Sequence, residues 1–365
     1  MGHRQTTVHA RGWRAAIKRW RRSNRARLNR LLVVALGTTG PRRAPLAADT
    51  RRILVVRLNK RLGNILFLTP MLRTLAATLP AATIDVLIQD AQHKPLLESL
   101  PGVRHVWIQR RTLSSLFGLI RRLRACRYDL VIDPSGNSTS NRLAMVLCRA
   151  RQRLGFAGDS QWLRLSHAAG RTRSRHQAEQ GVELLVDSIE GETFECFDTL
   201  AVFPDERAQA SARRHWQAAL SSSTAPVIGF FIQATGRKAL PQAWWTQWLA
   251  ETAALNPSAR FVQICPPEHT AQALPGAIGV AIVELDVLAA LMTRLNGFVA
   301  ADSGPMHLAA AAGVPVLGLF RATEPAAYAP LGHACQSLDG AHIEPGEAAR
   351  VISRMLTAEP RRGAA

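Results

Sequence analysis

An α/β protein of two domains facing a cleft is the fold class this sequence predicts, and three observations carry the prediction. Apolar runs of strand length alternate with stretches of helical period, the pattern of parallel α/β architecture. The runs form two series, parted by a polar stretch of helical character and by the loop-like "SSSTAP" at 221–226. With 365 residues, 47% of them hydrophobic, the chain is long enough to bury two cores.

In chain order, the first series comprises "ILVV" (53–56), "TIDVLI" (83–88), "HVWI" (105–108) and "DLVI" (129–132), with helices over "TPMLRTLAATL" and "LFGLIRRLRAC". The second comprises "VIGFFI" (227–232), "RFVQIC" (260–265), "GVAIV" (279–283), "GFVA" (297–300) and "VPVLGLF" (314–320), and "GEAARVISRML" (346–356) reads as a closing helix. The expected organisation is a basic extension over 1–51, a first domain over 52–205, a second over 206–345, and the closing helix with a tail over 346–365. Open parallel sheets collect ligands beyond the carboxyl ends of their strands, so residues just after strands are the candidates for a site.

The formal charge of +20 is concentrated at the start, where residues 1–52 hold fourteen Lys or Arg against one acid, Asp49. Within "WRAAIKRWRRSNRARLNRLLVVAL", Trp13, Ile17, Trp20, Leu28, Leu31 and Ala35 fall near one helical stripe with arginines around the rest, which suits an interfacial helix on an anionic membrane. A solvated basic tail fits the same composition. Nucleic acid is the least favoured partner, because the rest of the chain is only mildly basic. The apolar run Leu31–Leu36 is far below the roughly 20 residues that cross a bilayer, and the basic stretch before it is too long for a secretory signal. Five cysteines without CxxC spacing suggest neither a disulfide framework nor a zinc site, and fit a reducing, cytoplasmic setting.

"DSGPMH" follows the strand "GFVA". Asp302 or Ser303 can cap a helix beginning near Pro305, a wholly structural arrangement. The same geometry makes an anion site, since amides of Ser303, Gly304 and their neighbours face outward at the positive end of the helix dipole, and His307 adds a donor one turn in. Spacing alone leaves cap and ligand site level. In "ATGRKALPQAWWTQWL", Lys238 lies at a strand-to-helix turn, as an ordinary surface lysine or as a neutraliser of a leaving diphosphate, with a helix starting near Pro241. Glu268 in "CPPEH" is either solvated or accepts two ribose hydroxyls.

Other chemistries lack their signatures. The turn in "ILVVRLNKRLGNILFLTPMLRTL", with Lys60, Arg61 and Gly63, has no GxGxxG, and GxxxxGK[ST] occurs nowhere, so dinucleotide and P-loop readings lose support. Ala301 and Pro305 stand where a serine nucleophile elbow needs glycines. Neither HExxH nor DxD is present, so no metal site and no cofactor is expected.

Taken together, "DSGPMHLAAAAGVPVLGLF", "TEPAAYAPLG", "LGNILFLTPMLR", "YDLVIDPSGNSTSNRLA", "RLGF" and the "K..P...W" of "KALPQAWW" resemble the motifs of the family 9 glycosyltransferases, the lipopolysaccharide heptosyltransferase family, over roughly residues 52–355. The resemblance implies a GT-B fold of two Rossmann-like domains, the first binding an anionic glycolipid acceptor and the second a nucleoside diphosphate sugar, typically ADP-heptose. It also implies inverting, metal-independent transfer at the cytoplasmic face of the membrane. Matched by position, Lys238 contacts the diphosphate and Glu268 the ribose. Asp302, Ser303, Gly304 and His307 belong to the donor pocket, and backbone around Val283 flanks the base.

One departure bears on catalysis. Where the family's first motif reads L-G-D, with the aspartate as general base, this chain has Leu62, Gly63 and Asn64, after a turn one residue longer. An amide does not take up that proton at neutral pH. Another carboxylate then serves, with Asp133 in "VIDPSGN" the first candidate, or Asn64 only orients the hydroxyl and transfer is slow, or the chain binds donor without transferring.

Overall fold

A computed structural model describes residues 42–357 apart from 111, 137, 158–162, 164, 171, 221–224, 267–272 and 341. Most of the basic extension and Glu268 lie outside the described residues. The first lobe is a six-stranded parallel sheet of β1 (Arg52–Arg57), β2 (Thr83–Ile88), β3 (Val103–Ile108), β4 (Tyr128–Asp133), β5 (Ala150–Phe156) and β6 (His167–Ala169). The second has β7 (Val227–Phe231), β8 (Arg260–Ile264), β9 (Ile278–Val280), β10 (Gly297–Ala301), β11 (Val316–Phe320) and β12 (Gln336–Asp339). Strand order is β3-β2-β1-β4-β5-β6 in one and β9-β8-β7-β10-β11-β12 in the other, so each sheet reverses direction beside its first strand and opens a crevice there.

The helices of the first lobe are α1 (Leu62–Leu66), α2 (Thr69–Thr78), α3 (Lys94–Glu98), α4 (Leu113–Cys126), α5 (Thr139–Leu147) and α6 (Glu179–Ser188). Those of the second are α7 (Glu206–Leu220), α8 (Gln242–Leu255), α9 (Leu285–Met292), α10 (Gly304–Ala311), α11 (Pro325–Tyr328) and α12 (Pro345–Thr357). Strand residues alternate between the two faces of each sheet. Ile53 and Val55 join the core under α2 and α6, while Leu54 and Val56 join the core under α4 and α5. In α8, Trp245 and Trp248, three residues apart on one helix face, are fully buried against Phe230 of β7.

Three expectations shift. The polar stretch read as helical also contains β5 and β6, and β12 went unforeseen; "ARQRLGF" and "QSLD" carry too many polar side chains to read as apolar runs. The break expected at residue 51 falls within the lobe, because Ala44–Pro45 pair in parallel with Ile189–Glu190, and Arg42 bridges Ala168. The closing helix α12 packs on α8, with Ser353 Oγ accepting from Asn256 Nδ2 at 2.7 Å, and so belongs to the second lobe.

The lobes are stitched together by the chain around 176–202. Gln177 donates its amide to the Ala327 carbonyl at 3.1 Å, Val202 to Ala311 at 3.0 Å, and His176 Nε2 to the Ala329 carbonyl at 2.9 Å. Helix meets helix across the lobes at α1 and α10. A Cβ at Gly63 would stand 2.8 Å from His307 Cδ2, and one at Gly304 would stand 3.1 Å from Leu62 Cβ. Leu66 and Phe67 enter the second lobe's core across this contact.

Two predictions follow from this packing. Alanine is the better helix former, so local propensity alone would have Gly63→Ala stabilise α1 by roughly 0.5–1 kcal/mol; the clash with buried His307 reverses the sign, and the variant should lose about 1–3 kcal/mol in denaturant unfolding. The second concerns His93, His167, His176 and His307, which are buried and whose proton affinities burial lowers. Each binds its proton more weakly folded than unfolded, so the unfolded chain protonates first as pH drops below about 6.5, and stability is lost there. The Tm should fall between about pH 7 and pH 5, and fall less in His167→Gln; a flat profile would contradict the burial.

Candidate functional site

β10 delivers the chain at Ala301, and α10 starts three residues later at Gly304. Ser303 occupies the N-cap with extended backbone, yet its side chain caps nothing, and its Oγ is buried without a partner. Asp302 does not cap either. Its Oδ2 accepts from Lys238 Nζ at 2.6 Å and from Thr323 Oγ1 at 2.8 Å, and its Oδ1 lies 3.6 Å from His307 Nε2. The purely structural reading of "DSGPMH" thus lacks its hydrogen bond: the start of α10 receives no side-chain cap, and a buried hydroxyl beside it awaits a partner.

Burial pushes the Asp302 carboxyl up, but the adjacent His307 ring and the hydrogen bonds from Lys238 and Thr323 outweigh it and hold the group at about 2. It is ionised at any physiological pH and fixes the ammonium of Lys238, which ends a short 3₁₀ turn (Gly236–Lys238) after β7. For His307, burial lowers proton affinity more than the Asp302 carboxylate restores it, leaving a neutral imidazole near pH 7. Its ring meets Phe67 of the first lobe edge-on at 4.7 Å between centroids, and its Nδ1 is buried without a partner.

A cavity of about 480 Å³ opens between the lobes at this point. Of the residues picked out from sequence, Gly63, Asn64, Lys238, Asp302, Ser303, Gly304 and His307 all line it, drawn from the carboxyl ends of β1, β7 and β10. This is the size of pocket that encloses a small-molecule ligand. Its polar equipment is a cationic ammonium, an uncapped helix start and a buried hydroxyl, which is the chemistry of an anion site. Arg61 at the rim of α1 adds positive charge.

Of the other selected residues, two do not meet this cavity and a third is not described. Glu268 lies outside the described residues. Val283 sits in the turn between β9 and α9 with 53% of its surface exposed, beyond the cavity wall. Asp133, expected as a substitute base, is fully buried under the first lobe. Its Oδ1 accepts from the Ser135 amide at 2.9 Å, Ser135 Oγ at 2.6 Å and Asn141 Nδ2 at 2.9 Å, and its Oδ2 lies 3.2 Å from Arg142 Nη1. Enclosed and committed in this way, the carboxylate has no path to an acceptor hydroxyl, so the expectation is corrected.

Sequence reasoning also missed wall residues. Gln233, just beyond β7, presents a buried Oε1 without a partner; Phe67 and Tyr328 form the apolar side, and Thr323 secures Asp302. Position after a strand was the available signal for Gln233, and the loop "TEPAAYAPLG" already contained both Thr323 and Tyr328.

Comparison with known proteins agrees with this architecture. The chain resembles a glycosyl transferase family 9 structure from Veillonella parvula at 21% identity, over 86% of this chain and 99% of that one, with a TM-score of 0.73. It resembles an E. coli ADP-heptose lps heptosyltransferase II at 20% identity (84% and 99% covered, TM-score 0.68) and E. coli heptosyltransferase WaaC with ADP at 17% (84% and 99%, TM-score 0.66). At such identities the likeness speaks for the fold, two Rossmann-like lobes of GT-B type. No curated protein sequence matches significantly. The family model for glycosyltransferase family 9 (heptosyltransferase) matches residues 116–350, more than half of the chain and spanning both lobes, and the protein therefore belongs to that glycosyltransferase family.

Proposed function

We propose that this enzyme moves a heptose, or a sugar of similar shape, from a nucleoside diphosphate sugar, ADP-heptose foremost, to a hydroxyl of a lipopolysaccharide core or related glycolipid. The observation that carries this reading is the uncapped start of α10, with its buried Ser303 Oγ, standing beside the Lys238 ammonium on the wall of an interlobe cavity. A diphosphate at that point would receive the amides and the Ser303 hydroxyl, and Lys238 would compensate the charge that grows as the sugar C1–O bond breaks. Inversion follows if the acceptor oxygen attacks from the first lobe, opposite the departing diphosphate, and the fixed cations supply the stabilisation that a metal would otherwise give. The second lobe holds the donor in this scheme, with Glu268 on the ribose hydroxyls and the Val283 turn beside the base. The basic extension over 1–51 would hold the enzyme to an anionic membrane surface on its cytoplasmic side.

The base is the weak point of the chemistry. Among the described cavity residues the sole carboxylate is Asp302, and a group held at about 2 and already bound to Lys238 is a poor proton acceptor. Asn64, at the cavity wall on α1, orients the acceptor hydroxyl without taking its proton, and transfer is slow. Asn64 equally favours a second reading, a homologue that binds donor and transfers nothing.

Two experiments decide between these. Lys238→Ala should weaken ADP binding and, by taking a donor from buried Asp302, also lower the melting temperature of a chain that still unfolds cooperatively; unchanged affinity would remove Lys238 from the site. Asn64→Asp should raise turnover of ADP-heptose on a core acceptor by about 10²- to 10⁴-fold, the span of general-base catalysis. If the wild-type chain binds ADP tightly, and neither it nor Asn64→Asp transfers sugar, the silent-binder reading stands instead.

A further inference from the structure

The face of the first lobe covered by α4 and α5 has no role in the cleft, and its surface is unusual. Phe117 on α4 is 75% exposed, and Leu143 and Val146 on α5 are 51% and 40% exposed. Between the two helices runs a groove with about 90 Å³ of free space, walled by Leu116, Ile120 and Leu123 on one side and Leu143 and Leu147 on the other. At Leu147 and Cys148 the groove meets a wider recess of about 810 Å³ lined by Arg124, Arg127, Arg149, Arg151 and Arg153. Helical spacing puts Arg121 and Arg124 on the same outward stripe as Phe117.

Positive charge dominates this face. Residues 99–128 and 134–157 together hold eleven arginines and no aspartate or glutamate, although Arg104, Arg142 and Arg151 pair with acids outside those ranges. The one acid in the recess, Asp129, is engaged by the backbone amides of Arg51 and Arg52 and by Arg151. Arg121, Arg122, Arg124, Arg127 and Arg149 are exposed and have no ion-pair partner among the described residues. A family of arginines gathered around protruding apolar side chains matches one environment in particular, the boundary between anionic headgroups and acyl chains.

We propose that the α4–α5 face of the first lobe is a docking surface for an anionic phospholipid bilayer. The guanidinium groups pair with headgroup phosphates, which they fit as planar, multiply donating cations. Phe117, Leu143 and Val146 enter the acyl boundary, where the area they now show to water is removed from it. The surface is built into the folded lobe, so it acts independently of the basic extension. It also does not depend on the sugar-transfer reading. If that reading holds, the first lobe, to which the acceptor is assigned, is itself the lobe that rests on the membrane.

The test is flotation of the full-length chain with phosphatidylcholine vesicles and with the same vesicles carrying phosphatidylglycerol, at low and at high salt. Flotation should require phosphatidylglycerol and weaken with salt. Phe117→Glu should reduce partitioning about tenfold or more, and the double variant Arg121→Ser/Arg124→Ser about 30-fold. None of these side chains touches the cleft, so ADP binding followed by thermal shift should be unchanged and reports that each variant is folded; Leu143→Ser serves in place of any that is not. Unchanged flotation in the apolar and arginine variants assigns membrane binding to the extension alone and overturns the proposal. Retained flotation with loss of oligonucleotide binding in the arginine variant overturns it in favour of nucleic acid. Failure of the wild-type chain to bind ADP counts against the donor site and leaves this result unaffected.

Discussion

The approach of α1 to α10 is the constraint on which the rest of the molecule depends. Two helix starts from different sheets meet with glycine on each, Gly63 beneath the His307 ring and Gly304 beneath Leu62. Because neither carries a Cβ, the backbones come close enough for Leu66 and Phe67 to enter the second lobe's core, and for Phe67 to fix His307 edge-on. The cavity is the space left beside that contact, so its width is set by packing and not by a mobile loop. A side chain at either position would act as a wedge and separate the first lobe's candidate acceptor surface from the second lobe's phosphate-ready elements.

Electrostatic order inside the cavity follows from a single buried carboxylate. Asp302 is costly to bury as an anion, and three donors on three separate segments hold it there: Lys238 after β7, Thr323 after β11 and His307 on α10. The outcome is to fix a cation next to an uncapped helix start. Around the same cavity stand the buried Ser303 hydroxyl, Nδ1 of His307 and Oε1 of Gln233, none with a hydrogen-bond partner among the described residues. Other buried polar atoms without a protein partner lie elsewhere, among them Trp245 Nε1, Ser188 Oγ and Thr78 Oγ1, so it is the convergence of these three with Lys238 on one cavity, and not their being unpaired, that suits a polar ligand.

The sequence was most readable where burial is two-sided. Central strands such as "ILVV" and "GFVAA" are apolar throughout, and their limits were set almost to the residue. Toward the sheet margins the signal fades, since β6 has three residues, and β12 and the first half of β5 are largely polar. Seven of the site residues were legible because strand ends, turn glycines and helix starts leave a local mark. Asp133 misled for the same reason, because an acid just after a strand has the right address whether or not its side chain points to the cleft. What decides its direction is a contact with residues 135–142, which no local pattern records.

That contact gives "DPSGN" and "RLGF" a shared physical purpose. Asp133 pairs with buried Arg142, whose Nη2 donates to the Phe156 carbonyl at 3.2 Å, while a Cβ on Gly155 would collide with Nη1; only glycine there leaves room for the guanidinium. Asn141, held on Asp133, donates to the Val56 carbonyl at 3.0 Å and accepts from the Leu58 amide at 3.1 Å. The ion pair is fully enclosed, and removing either partner would strand the other charge in the core. Asp133 therefore acts on the cleft at a distance. It clamps the end of β1, from which the lengthened turn carries the chain to Gly63 and Asn64, and so helps fix where the first lobe presents its side of the cavity.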